Sequence, residues 1–144
     1  MRRIRAALGS NDGENIVADH MGTAREFCIF DLFEDGRSVL VEKRKNTSPA
    51  EDENESKHGD VRKLKSAMGI FEDCEVVLGR RGSPNFFRMR DNTDLQPVVT
   101  RVDALSGSMH ELAESFEEIH GLVERRKRGE RPQAIPIIGK TSER

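Results

Sequence analysis

A chain of 144 residues has room for one domain with a real core and hardly for two. Its balance of 35% hydrophobic against 35% charged residues, with a formal net charge of -2, fits a polar globular domain and excludes a global electrostatic pull toward nucleic acid or an anionic membrane. No apolar run approaches the roughly 20 residues of a membrane-spanning helix, and Cys28 and Cys74 are too few and too far apart for a disulfide framework.

A cytoplasmic protein with reduced thiols is expected. No secretory signal is expected at Met1-Arg2-Arg3-Ile4-Arg5, because the polar stretch 9–15 interrupts the apolar run at once. There is no Trp or Tyr, so the seven Phe must supply the aromatic packing.

Residues 4–8 form a short apolar run closed by Gly9-Ser10-Asn11-Asp12-Gly13, the pattern of a buried strand ended by a turn. A polar loop then continues to Gly22. Residues 26–33 are rich in Phe and Ile, as in a strand covered on both faces. Glu34-Asp35-Gly36-Arg37 supplies a hairpin turn, since Gly tolerates positive φ at little cost. Residues 38–45 make the return strand, an outer one that becomes wetter toward its end. The stretch 46–59 contains almost nothing to bury and reads as a mobile loop.

A helix is expected from Asp60, with Val61, Leu64 and Met68 on one face and Gly69 as its stop. Residues 75–79 hold a central parallel strand. Ser83-Pro84 then opens a helix bearing Phe86, Phe87 and Met89, and 95–102 form a further strand. Ser108 and Glu111 have capping-box spacing for a last helix, whose stripe is Met109, Leu112, Ala113, Phe116, Ile119 and Val123. The order predicts a three-layer α/β/α domain over residues 1–124, with a five-stranded mixed sheet. Residues 125–144, opening on Arg125-Arg126-Lys127-Arg128, read as a basic, flexible C-terminal tail.

Loops at the carboxyl ends of parallel strands are where open α/β sheets hold ligands. The 9–22 loop offers Asp12 and Asp19 oxygens, the His20 imidazole, the Met21 sulfur and the close approach that Gly22 permits. The turn Arg80-Arg81-Gly82-Ser83-Pro84-Asn85 joins a parallel strand to a helix N-terminus, a place that favours an anion, and its two guanidinium groups add to that preference. His58, at the end of the polar loop, is a further candidate ligand. Cys28 reads as a core thiol, and Cys74 lies at the end of its strand away from these loops. His110 and His120 read as structural or surface residues.

The run 4–31, with Ser10, Asp12-Gly13, His20-Met21-Gly22, Ala24, Phe27, Ile29 and Asp31, resembles the opening of the nitrogenase iron–molybdenum cofactor biosynthesis family. Glu42, Arg44 and Asp73-Cys74-Glu75-Val76-Val77 continue the likeness, which covers roughly residues 3 to 123. Met21 stands where that family usually has Phe, and the 80–85 turn replaces a more glycine-rich one.

The resemblance implies a ribonuclease H-like fold, a nitrogenase accessory factor-like domain, and binding of iron–sulfur or molybdenum-containing clusters. Taken together with the loop and the turn read above, cofactor binding is expected from Asp12, His20, Met21, Gly22, Arg80, Arg81 and Ser83, and metal ligation from His20 and His58. Donor and acceptor proteins for the cofactor would be the partners.

A nuclease needs several carboxylates converging on the sheet, one of them within the first strand. Ile4-Arg5-Ala6-Ala7-Leu8 has none, and no Ser–His–Asp or Cys–His arrangement is evident. Non-enzymatic carriage of an anionic cofactor is therefore the expectation, and a regulatory or interaction module binding an anionic small molecule at the 80–85 turn is the alternative. Nucleic-acid binding through Arg125 to Arg128 is not expected, since a basic helix end complements the helix dipole. The hairpin edge offers two copies a place to pair.

Overall fold

The computed structural model describes residues 1–46 and 69–139. Its strands are β1 (Arg3–Ser10), β2 (Glu26–Phe33), β3 (Ser38–Lys45), β4 (Val76–Gly79), β5 (Gln96–Thr100) and β6 (Ile137–Ile138). The helices are α1 (Pro84–Asn92), α2 (Leu105–Glu114) and α3 (Phe116–Lys127). The strands form one mixed sheet in the order β3-β2-β1-β4-β5-β6. β1, β2 and β3 are antiparallel neighbours, whereas β4, β5 and β6 continue from β1 in parallel. This is the expected α/β architecture with a ribonuclease H-like strand arrangement.

Side-chain alternation along β1 separates the two faces. Ile4, Ala6 and Leu8 join Val76, Leu78 and Val98 beneath Met109, Leu112, Ile119 and Val123 of α2 and α3. Ala7 faces the other way, with Phe27, Ile29 and Val77, and is covered by Phe71 and by Phe86 and Met89 of α1. Burying apolar side chains on both faces is the main stabilising contribution, about 1.5–3 kcal/mol for each large side chain fully removed from water.

Three expectations are corrected. The sheet has six strands, not five. The boundary at residue 124 falls inside α3, and the segment expected as a flexible tail supplies β6, where Ile138 is buried and its carbonyl accepts from Arg101 N–H at 2.9 Å. The single last helix is two, broken at Ser115. Ser108 caps neither of them. It lies inside α2, fully buried, with Oγ 2.9 Å from Thr100 Oγ1 and donating to the Val102 carbonyl at 3.0 Å.

α2 begins at Leu105 because the Glu14 carbonyl accepts the Leu105 N–H at 2.8 Å. A tertiary partner does there what a side-chain cap does elsewhere. The helix expected over 60–68 and the polar stretch 47–59 lie outside the described residues. Gly69, expected to end that helix, is itself helical, and the turn comes at residues 71–73.

Arg126 explains why the chain beyond α3 stays in the fold. It is 1% exposed. Its Nε donates to Gln96 Oε1 at 2.7 Å, Nη1 to the carbonyls of Arg90 and Thr93 at 2.9 and 3.1 Å, and Nη2 to the Pro132 carbonyl at 3.1 Å. Burial pulls its pKa down to about 10, so the guanidinium still carries its charge at neutral pH. Four acceptors from α1, the β5 start and the 128–136 segment thus meet on one cation. Arg126→Met would leave them buried without a donor, and we expect it to lower the unfolding free energy by about 3 kcal/mol in urea titrations. Arg125→Ala, at a largely exposed neighbour, should cost about 0.5 kcal/mol or less.

Candidate functional site at the carboxyl ends of the parallel strands

β1, β4 and β5 end at Ser10, Gly79 and Thr100, so the segments that follow them gather on one rim of the sheet. They are stitched together. Ser10 bridges Ile16, Asn15 bridges Ala104, and Ile16 N–H donates to the Asp103 carbonyl at 2.8 Å. β3 ends at the same rim, where Asn46 Nδ2 donates to the carbonyls of Gly22 and Ala24 at 3.0 and 2.7 Å.

Within the first loop, Asp12 is engaged by the loop itself. Its carboxylate accepts from the Glu14 and Asn15 N–H groups at 2.8 Å each, from Asn15 Nδ2 at 3.1 Å and from Ser10 Oγ at 3.3 Å. Those backbone donors, Asn15 first, hold its pKa well below the usual carboxylate range. Gly13 turns the chain with φ +78°, a conformation other residues rarely adopt. Met21 is buried, in one apolar cluster with Ala7, Val17 and Phe27. Gly22 lies open above the loop, with nothing within 4 Å of where a Cβ would stand.

His20 precedes the 3₁₀ turn Met21–Thr23. Its Nε2 lies 3.7 Å from Asp19 Oδ1, and its side chain is 14% exposed. The same Asp19 oxygen lies 3.7 Å from Arg81 Nη1, on a guanidinium that is 61% exposed. Two expected residues from separate loops, His20 and Arg81, therefore meet on one carboxylate.

The other two from the 80–85 turn are held in place. Arg80 Nε donates to the Thr100 carbonyl at 3.0 Å and Nη2 to that of Arg101 at 3.3 Å, and its Nη1 pairs with Asp103. Ser83 Oγ accepts from Phe86 N–H at 3.3 Å as the cap of α1. The capping expectation was thus right, and it occupies the hydroxyl. His58 lies outside the described residues. Among the described residues, no three His, Cys, Asp or Glu side chains cluster as a metal site.

Both thiols are buried. Desolvation pushes the Cys28 thiol up and carries Cys74 to about 12. His120 stacks on Phe116, with ring centroids 5.4 Å apart. The basic run after residue 124 is engaged internally: Arg126 is buried, Arg125 and Arg128 pair with Glu130, and Lys127 reaches Glu75 at 2.6 Å.

A second charged cluster runs across the sheet from the carboxyl half of β3 to the amino ends of β1 and β4, and sequence reasoning did not assemble it. Arg44 grips Asp73 with two bonds of 2.7 and 2.9 Å and also holds Glu42 at 2.7 Å. Arg5 grips Asp31 at 2.7 and 3.0 Å and reaches Asp73 at 2.9 Å. The chain Glu42–Arg44–Asp73–Arg5–Asp31 thus spans β3, β2, β1 and the turn before β4. The available signal was alternation: Arg5 interrupts an apolar strand in the phase of Ala7, and Asp31 in the phase of Ile29.

Hydrogen bonds from Arg44, then from Arg5, hold the Asp73 carboxyl well below its usual range. A depressed carboxylate pKa stabilises the fold fully above the unfolded value near 4, and that contribution is lost as pH falls through the folded value. Asp73→Asn should therefore be less stable at pH 7, with the gap to the native chain closing below about pH 4 in pH-dependent thermal unfolding. Asp73 is 44% exposed, so solvent screening keeps the neutral-pH gap to about 1 kcal/mol.

The family model described as dinitrogenase iron-molybdenum cofactor matches residues 2–118, from β1 into the first turn of α3. A search of curated proteins finds no significant match. With well over half its length matched, and with the strand order and the His20 loop already described, the chain belongs to the dinitrogenase iron–molybdenum cofactor family.

Proposed function

We propose that the chain binds or carries, without catalysing a reaction, an anionic iron–sulfur or molybdenum-containing cofactor at the carboxyl ends of β1 and β4. His20 is the ligand and Arg81 the counter-charge. The observation that carries the reading is the convergence of these two side chains on Asp19, each 3.7 Å from Oδ1, in a chain of this family. Imidazole is a good nitrogen donor to iron and related metals. A largely exposed guanidinium offsets anionic charge without being buried by it.

In this reading Asp12, Met21, Gly22, Arg80 and Ser83 shape the rim rather than touch the cargo. His58 is proposed as a second ligand. One firmly placed imidazole suits a cargo that is handed on, so cofactor donor and acceptor proteins complete the role. The two free thiols fit a reducing, cytoplasmic setting. Among the described residues no helix is long and apolar enough to cross a membrane.

The test is anaerobic reconstitution of the full chain with iron, sulfide and molybdate, read by visible absorbance and metal analysis. The native chain should take up metal and show a charge-transfer band. His20→Ala should lose most of that band, and Arg81→Gln should weaken uptake about tenfold. No uptake by the native chain would end the proposal, and uptake unchanged in His20→Ala would remove His20 from it. A thermal shift with phosphates or nucleotides, and none with clusters, would favour an anionic small molecule bound at the 80–85 turn.

A further inference from the structure

The sheet ends in β3 on one side and β6 on the other, and the two edges differ in kind. β6 is two residues long, too short to template another strand, whereas β3 has eight. Val39, Leu40 and Val41 stand consecutively on β3 with 44%, 46% and 41% of their surface exposed. Among the described residues no strand pairs with the outer side of β3, and a long edge with three apolar side chains in water is a surface that proteins normally blunt. Here only the far half is blunted, by Lys43, Arg44 and Lys45.

We infer that this edge seats a second copy of the chain, with the two β3 strands antiparallel about a two-fold axis at Leu40. The charge pattern selects that arrangement. The hairpin tip carries Glu34, whose carboxylate Arg2 holds at 2.8 Å, and the half-exposed Asp35, and the other end of β3 carries Lys43 and Lys45. Antiparallel pairing lays the acidic tip of one copy beside the basic end of the other and sets Val39 opposite Val41 of the copy. Parallel pairing would bring Lys43 against Lys43.

The one like-charged pairing in this register, Arg37 opposite Lys43, is blunted from both sides. Arg37 lies 4.6 Å above the Phe33 ring, and Lys43 Nζ lies 4.0 Å from Glu26. The register of β3 on β2 shifts by one residue between Leu40 and Glu42, so Val41 is the bulged residue of the strand. A two-fold contact uses the same edge on both copies, so it closes at a dimer.

Sedimentation velocity on the full chain, from about 1 to about 200 µM, reads the proposal. A concentration-dependent monomer–dimer equilibrium is expected. Leu40→Lys should raise the dimer Kd about tenfold or more, whereas Ile137→Lys, on the exposed β6 side chain, should leave it unchanged. Leu40 is half-exposed, so the variant should keep its thermal transition. In addition, Leu40→Cys should give a covalent dimer with a short thiol cross-linker, and Phe87→Cys, exposed on α1, should not. A monomer at every concentration, a dimer indifferent to Leu40→Lys, or cross-linking through Phe87→Cys alone would each overturn the inference.

Discussion

A single buried cation, Arg126, dictates how the second half of the fold is assembled. A guanidinium removed from water needs an oxygen for its donors, and none of the four found here is a carboxylate. The positive charge is held by backbone and amide dipoles, which must be fixed in place to be useful. Two of the carbonyls, Arg90 and Thr93, lie where α1 ends, and Gln96 is the first residue of β5. The helix cannot end elsewhere, nor β5 begin elsewhere, without uncovering the charge. Pro132 brings the chain back across the same point, and from there β6 can add to β5. The sixth strand is thus a consequence of where a charge is buried rather than of strand propensity in Ile137-Ile138.

That dependence also shows what the sequence could and could not reveal. Elements defined by local chemistry were legible. Strand β2 and the Asp35-Gly36 hairpin fall where periodicity puts them, Gly36 has the positive φ its turn requires, and Ser83-Pro84 starts α1 as the cap pattern says. Elements defined by a distant partner were not. Ser108 and Glu111 satisfy a capping box in sequence, yet α2 starts earlier because Glu14, some ninety residues away, supplies the first acceptor. Arg126 sits in a run of four basic residues that reads as solvated. Only tertiary structure separates the one that is buried from the three that pair at the surface. A breaker or cap is read from a few neighbouring residues, whereas a hydrogen-bond acceptor can come from anywhere in the chain.

The candidate site follows the same division. The rim was legible, because loops after parallel strands are identifiable from strand order alone. Which side chains face the rim was not. Asp12 has ordinary polar character in sequence, but it is used as a hydrogen-bond acceptor for neighbouring N–H groups. Arg80 and Arg81 are chemically identical and adjacent, yet opposite in use. The former closes the gap between β4 and β5 by binding two β5-end carbonyls and Asp103, which sets its neighbour outward toward Asp19 and His20. One arginine fixes the turn so that the next can present a charge.

The two ends of the sheet are built for different tasks. Toward the amino end of β1, paired guanidinium–carboxylate forks tie β3, β2, β1 and the turn before β4 into one rigid unit, with Asp31 almost fully buried. At the carboxyl end, the His20–Asp19–Arg81 contacts are 3.7 Å long and partly in water, so they orient the side chains without saturating them. The largely exposed Arg81 guanidinium can shift onto an incoming anion at small cost, whereas the forks at the other end cannot shift without exposing a buried carboxylate. In the proposed carrier role this asymmetry is useful. In that role metal affinity would rest on few protein ligands and on complementary charge, both of which a recipient protein could outcompete, while the scaffold beneath them would stay unchanged as the cargo came and went.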